Sequence, residues 1–244
     1  MKTIADQVRH VGIIMDGNGR WAQLRGKSRS MGHVRGAQVA REIIQAASDL
    51  GLAHLTLYAF STENWLRPLS EVNFLMKLLR RSIEKEREKI INNRIRFEAI
   101  GELNRLPEDL RSSVLDLMRE TRNNEGMHLV FAMSYGARWE IVEACRHIAA
   151  KIKNGELEVA DISEKVFSYH LQSPGTPDPE LIIRTSGENR LSNFLLWQAA
   201  YSELVFTPTN WPDFTAQEFS SCLGTFSQRE RRFGGIRETA QNLG

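Results

Sequence analysis

His10-Val11-Gly12-Ile13-Ile14-Met15-Asp16-Gly17-Asn18-Gly19-Arg20-Trp21 is the stretch on which the reading of this chain turns. An apolar run halts at a carboxylate. Two glycines, an asparagine and an arginine follow, and a helix-compatible segment begins. That order predicts a strand, a tight turn and a helix start. Such a junction turns backbone N–H groups towards an anion. Arg20 adds a planar cation with bidentate reach. Asp16 adds a hard oxygen, better suited to Mg²⁺ than to a soft metal. Together these residues predict a metal-assisted diphosphate site. The plainer alternative is a Gly-rich turn with Asp16 capping the next helix. A calcium loop fits worse, because Arg20 occupies a ligand position and Lys27 stands where the closing glutamate belongs. No Gly-Lys-Ser/Thr follows at the spacing of a nucleotide-binding P-loop.

Outward from this stretch, short apolar runs alternate with longer helical patterns. The predicted strands are Val11–Met15, Leu55–Phe60, Ile95–Ile100, His128–Met133, Leu181–Arg184 and Glu203–Phe206. The predicted helices are Val34–Leu50, Glu71–Asn92, Glu108–Asn123, Arg138–Asn154, Ser163–Leu171 and Ala216–Arg231. The alternation predicts an α/β fold with a mostly parallel central sheet of six strands flanked by helices. Residues 1–244 read as a single domain, since the Pro-rich run at Ser173–Pro179 is followed at once by a strand. In parallel sheets chemistry gathers beyond the carboxyl ends of the strands. Each informative cluster falls there: Asp16–Arg20, Ser61–Pro68, Ser134–Arg138 and Arg184–Ser192.

Composition narrows the class. The chain has 244 residues, 41% hydrophobic and 25% charged, with a formal net charge of +2. No global positive charge argues for nucleic acid. The first residues lack the apolar core of a signal peptide, and no run is long enough to span a bilayer. Cys145 and Cys222 lack metal-ligand spacing and read as buried free thiols. A cytoplasmic location is expected.

The motifs resemble the cis-prenyltransferase family, in its bacterial undecaprenyl diphosphate synthase branch, over nearly the whole chain. The resemblance rests on Ile13–Ala22, Gly32-His33-x-x-Gly36, Leu57–Pro68, Arg184–Glu188, Arg190–Gln198, Trp211–Phe214 and Arg231–Gly235. It implies a fold that is not a Rossmann fold, with a hydrophobic tunnel, and a homodimer. It also implies an Mg²⁺-dependent enzyme that condenses isopentenyl diphosphate sequentially onto farnesyl diphosphate, making a long-chain polyprenyl diphosphate for the cell-wall lipid carrier. A transient membrane contact would aid product release.

By the same resemblance, Gly17, Asn18, Gly19, Arg20 and Arg29 hold the allylic diphosphate. Arg184, Arg190, Leu191 and Ser192 grip isopentenyl diphosphate. Asp16 and Glu203 are the Mg²⁺ carboxylates, Glu203 acting with Asp16 of its own chain or in the neighbouring site. Asn64 takes the family's proton-acceptor position beside Ser61, Thr62 and Glu63. An amide is a poor base at neutral pH, so Asn64 is expected to orient a phosphate oxygen or a water. His33 bonds a diphosphate or shares in proton transfer; its plain alternative is helix capping. Trp21, Trp65 and Arg67 belong to substrate loops. Leu75, Leu78, Ala59 and Met127 line the tunnel or limit its depth, against the plain reading of a core-facing helix. Arg232-Phe233-Gly234 reaches across the dimer.

Two departures stand out. The family's Asn-Tyr-Gly-Gly-Arg is Ser134-Tyr135-Gly136-Ala137-Arg138 here, and Ala137 is expected to alter the turn. Three rival functions predict different residues or products. A regulatory subunit would lack Asp16 and the arginine pair. A short-chain synthase would differ in product. A phosphohydrolase would need a nucleophile or a denser carboxylate cluster.

Overall fold

The computed structural model describes residues 8–173 and 175–227. Six strands form one sheet: β1 (His10–Ile14), β2 (His54–Ser61), β3 (Arg96–Ile100), β4 (His128–Tyr135), β5 (Leu181–Arg184) and β6 (Glu203–Phe206). Their order is β3-β4-β2-β1-β5-β6, and every pairing is parallel. The continuous apolar runs of β1 and β5 are explained by burial on both faces.

The helices are α1 (Asn18–Gln23), α2 (Arg29–Asp49), α3 (Leu69–Asn92), α4 (Glu108–Thr121), α5 (Ala137–Lys153), α6 (Glu164–Tyr169) and α7 (Ala216–Ser227). One face of the sheet presents Val11, Ile13, Leu55 and Leu57 to a core that includes Val39 and Ile43 of α2, Val72 and Ile83 of α3, and Leu110 and Val114 of α4. The other presents Ile14, Tyr58, Val130 and Ile182 to Phe194, Leu195 and Ala137. Each such aliphatic side chain contributes about 1.5–3 kcal/mol on burial. In α3 the buried Val72, Leu75, Met76, Ile83 and Ile90 keep a helical spacing. Its outer face is tied to α4 by Arg80 with Asp109 and Arg87 with Glu120.

Helix α2 begins at Arg29, five residues before the expected start at Val34. Gly32 and Gly36 weaken the helical signal, but close packing demands them. A Cβ on Gly32 would stand 2.0 Å from the backbone oxygen of Asn18, and one on Gly36 would stand 2.0 Å from Asn18 Oδ1. Helix α1 can therefore lie against α2. The expected end of α7 at Arg231, and Arg232-Phe233-Gly234, lie outside the described residues.

The amino edge of the sheet carries a row of imidazoles. His10, His54 and His128 occupy matching positions on β1, β2 and β4. Their ring centroids are 5.7 Å and 5.5 Å apart in turn. His10 Nδ1 lies 2.6 Å from the Pro177 carbonyl, which can only accept. That nitrogen carries the hydrogen, and Nε2 accepts from the Thr56 hydroxyl at 2.8 Å. Burial lowers both His10 and His54 to about 4, the neighbouring rings adding to the shift. His128 Nε2 is 2.7 Å from Glu98. Arg9, Arg96 and Glu180 border the row.

Candidate active site

Strand β1 has β2 on one side and β5 on the other, so the segments leaving these three strands meet at one place. After β1 the chain turns through Gly17 at φ +105°, where a Cβ would stand 2.5 Å from Asn210 Oδ1. Only glycine suits both the dihedral and the space. Gly17 is the N-cap of α1 and, among the described residues, no side chain caps that helix, which removes the plain reading of Asp16 as a capping residue. The Asp16 main chain is fixed instead by buried Thr185, whose hydroxyl donates to the Asp16 carbonyl at 2.7 Å and accepts from its N–H at 3.0 Å.

The Asp16 carboxylate joins the first and fifth strands. Its Oδ1 accepts from Gly17 N–H at 2.7 Å. Its Oδ2 accepts from Arg184 at 2.9 Å and from Arg20 at 3.3 Å. Arg184 is 3% exposed. Its Nη1 donates to the Arg190 carbonyl at 2.5 Å and to the Ser192 hydroxyl at 2.7 Å. Its buried Nε has no partner among the described residues. Arg20 also donates to the Ser186 carbonyl at 2.9 Å and pairs with Glu188. Arg190 pairs with Glu188 on the exposed rim. The predicted convergence of Asp16, Arg20, Arg184, Arg190 and Ser192 is therefore found.

Asp16, Arg184 and Ser192 border a polar cavity of about 690 Å³, whose other walls include Ser61, Glu63, Asn64, Arg67, Arg138 and Leu191. After β2, Ser61 and Asn64 form a reciprocal cap, with Asn64 Oδ1 accepting from Ser61 N–H at 3.3 Å. Trp65 Nε1 donates to the Ser134 hydroxyl at 2.9 Å, and Arg105 lies 5.1 Å above the Trp65 ring. Trp21 Nε1 donates to Asp213 at 2.6 Å, with Arg25 stacked 4.6 Å over its ring. The two tryptophan rings are thus fixed by protein contacts, and neither is on the wall of this cavity.

Arg29, His33 and Arg67 converge on Glu71, at 3.2, 3.4 and 3.1 Å. Sequence reasoning missed Glu71, because a glutamate in the first turn of a helix reads as an ordinary dipole partner. Burial, then Arg67, lowers His33 from its ordinary value, against the pull of Glu71. Neutral imidazole is the form present at pH 7.

A second cavity, of about 130 Å³, opens between α2, α3 and the sheet. Its walls are mostly apolar and include Ala37, Ala40, Ala59, Leu75, Leu78 and Leu79. Met15 and Tyr58 border both cavities. Ala59, Leu75 and Leu78 line it as expected; Met127 does not. Met127 precedes β4, and its carbonyl accepts from Arg96 N–H at 3.0 Å, which places it at the amino edge of the sheet.

Two other expectations change. Glu203 pairs in register with Leu181, and Leu181 with Val11, whereas Arg184 pairs with Ile14. Glu203 is therefore at the opposite end of the sheet from Asp16, and the two carboxylates do not form a pair within one chain. Ala137 does not alter a left-handed turn; it is the first residue of α5. The strained position is Ser134, at φ +51°.

Among the described residues no group of three or more metal-ligating side chains is present. Mg²⁺ nevertheless needs only one or two carboxylates when phosphates complete its shell. Asp16, with 33% side-chain exposure on the wall of a polar cavity, fits that requirement.

Comparison with known proteins agrees with this geometry. Residues 14–234 match the family model described as "Putative undecaprenyl diphosphate synthase". An isoprenyl transferase of Chlorobaculum tepidum is 49% identical over 230 residues, covering 94% of this chain and 87% of its own. A Micrococcus luteus ditrans,polycis-undecaprenyl-diphosphate synthase, (2E,6E)-farnesyl-diphosphate specific, is 47% identical, covering 93% of this chain and 92% of its own. The crystal structure of lavandulyl diphosphate synthase from Lavandula x intermedia, in complex with dimethylallyl diphosphate, superposes with a TM-score of 0.91 at 40% identity. It covers 93% of this chain and 98% of that one.

Proposed function

The chain belongs to the undecaprenyl diphosphate synthase family and is an isoprenyl transferase, and from that premise we propose that it condenses isopentenyl diphosphate sequentially onto farnesyl diphosphate, with cis geometry and with Mg²⁺. The proposed product is a long-chain polyprenyl diphosphate for the cell-wall lipid carrier, made in the cytoplasm by a homodimer. The observation that carries this reading is the Asp16–Arg184–Ser192 constellation in a polar cavity that shares Met15 and Tyr58 with an apolar one. An anionic head and a hydrocarbon tail would each have a matching compartment.

Arg20, Arg29 and the backbone of the Gly17 turn would hold the allylic diphosphate. Arg184, Arg190 and Ser192 would hold isopentenyl diphosphate with its double bond towards the allylic C1. Placing the two reactants converts a bimolecular encounter into a local one. The C1–O bond breaks and diphosphate leaves. The terminal alkene carbon of isopentenyl diphosphate forms the new bond to C1, and a proton departs from its C2. Asn64 has its oxygen engaged by Ser61 N–H and is not a base at neutral pH. It would orient the oxygen that takes the proton. Mg²⁺, held by Asp16, would neutralise the leaving diphosphate. Glu203 would serve a neighbouring subunit, and the partly exposed β6 edge with Tyr201 and Leu204 supports a subunit contact there.

A short-chain synthase is the second reading, favoured by the likeness to lavandulyl diphosphate synthase. Product sizing decides. The protein, Mg²⁺, farnesyl diphosphate and labelled isopentenyl diphosphate are incubated, with Asp16→Ala as control. A long polyprenol ladder after dephosphorylation, lost in the variant, is expected. A single short product would move the chain to the second reading. No product from the folded dimer would refute both.

A further inference from the structure

The loop after β5 has an uncommon backbone. Ser192, Asn193 and Leu195 take φ values of +47°, +64° and +45°. Side chains seldom occupy that region, and asparagine does so at least cost. Asn193 there joins three segments. Its Nδ2 donates to Glu63 at 3.0 Å, in the turn after β2. Its Oδ1 accepts from Arg138 N–H at 2.9 Å, at the start of α5. Its carbonyl accepts from Ala137 N–H at 2.8 Å. Gly136 leaves the necessary room, since a Cβ there would stand 2.7 Å from both Asn193 Nδ2 and Thr62 Oγ1. Ser192, the preceding residue, is gripped by Arg184 at 2.7 Å, and its carbonyl accepts from the Tyr58 hydroxyl at 3.3 Å.

We propose that Asn193 is a positioning residue for the condensation: it sets the spacing between Ser192, on the isopentenyl diphosphate side, and the Ser61–Asn64 turn that orients the oxygen taking the departing proton. The inference rests on the prenyltransferase reading given above. Asn193 acts through Ser192 and Glu63, because both ends of its amide are engaged by protein groups. Burial alone would raise the Glu63 carboxyl, but hydrogen bonds led by Asn193 hold it below its ordinary value. An ionised carboxylate therefore faces a neutral donor at pH 7. The contact is polar, specific and separated by 130 residues of chain.

The test reverses the polarity of that contact. Asn193→Asp keeps the acceptor for Arg138 N–H and sets a second carboxylate against Glu63. The KM for isopentenyl diphosphate should rise about tenfold, equivalent to about 1.4 kcal/mol. Calorimetric binding of farnesyl diphosphate should stay within about twofold of the parent, on the same scale. Adding Glu63→Gln to Asn193→Asp lets the new amide donate to the new carboxylate, and most of the rise in KM should be reversed. Glu63→Gln alone closes the double-mutant cycle. Should Asn193→Asp fail to fold, Asn193→Gly accepts the same dihedral, keeps the carbonyl bond and reads the same KM. An unchanged KM, equal weakening of both substrates, or a double variant no better than Asn193→Asp would overturn the inference while leaving an active parent enzyme. A parent enzyme that makes no prenyl product would overturn both readings together.

Discussion

Acidifying the protein from pH 7.5 to pH 5 should destabilise it through the imidazole row on the amino edge of the sheet. The folded values of His10 and His54 are about 4, against an ordinary 6.5. The unfolded chain therefore binds protons more readily, and protonation favours unfolding. The stability is fully present above about pH 6.5 and drains as the pH falls towards 4. At pH 5, His10 alone accounts for about 2 kcal/mol. His54 is only partly buried, and solvent screening reduces its share to about 1 kcal/mol. Asp178 works in the opposite sense, because burial raises its carboxyl. A loss of about 3 kcal/mol is a large part of a domain's usual 5–15 kcal/mol. For a chain of this size it lowers Tm by about 10 °C. Thermal unfolding followed by circular dichroism at both pH values reads the effect. His54→Gln should shrink the pH-dependent loss by about 1 kcal/mol. A parent Tm that moves less than about 2 °C between the two pH values would refute the argument.

Two further outcomes follow from the site. Arg184→Lys keeps one positive charge but loses the fork that joins Asp16 to Ser192; KM for isopentenyl diphosphate should rise at least about tenfold in steady-state kinetics, with a smaller change in farnesyl diphosphate binding. Gly32→Ala puts a methyl group 2.0 Å from the Asn18 carbonyl; it should cost about 1–3 kcal/mol in urea unfolding and weaken allylic diphosphate binding, because α1 must move away from α2.

The strands were legible because their apolar runs are bounded by Gly, Asp and Ser, and their observed ends lie within two residues of the expected ones. Helix α1 was visible only as a helix-compatible segment, and the first turn of α2 was not, because Gly32 and Gly36 obey a contact with Asn18 rather than helix propensity. The charged loops were readable from residue type. Their partners were less so. Thr185, Tyr58 and Asn193 matter through contacts made far along the chain, and neither periodicity nor spacing encodes such contacts. Glu203 shows the same limit: its position at a strand start was correct, but the register that pairs it with Leu181, at the other end of β5 from Arg184, is a tertiary fact.

The strand order also bears on how the chain is made. On the ribosome, β1 emerges first and finds β2 soon afterwards, but its other edge is reserved for β5. The His10 N–H waits for Glu180, 170 residues further on. At ordinary translation speeds that is roughly 10–30 seconds. Throughout this interval the nascent sheet shows an unpaired apolar edge, the kind that invites pairing with other chains. Truncated products that stop short of residue 181 keep that edge permanently, and should be caught by chaperones or aggregate, whereas the finished chain covers it with its own arginine-bearing strand.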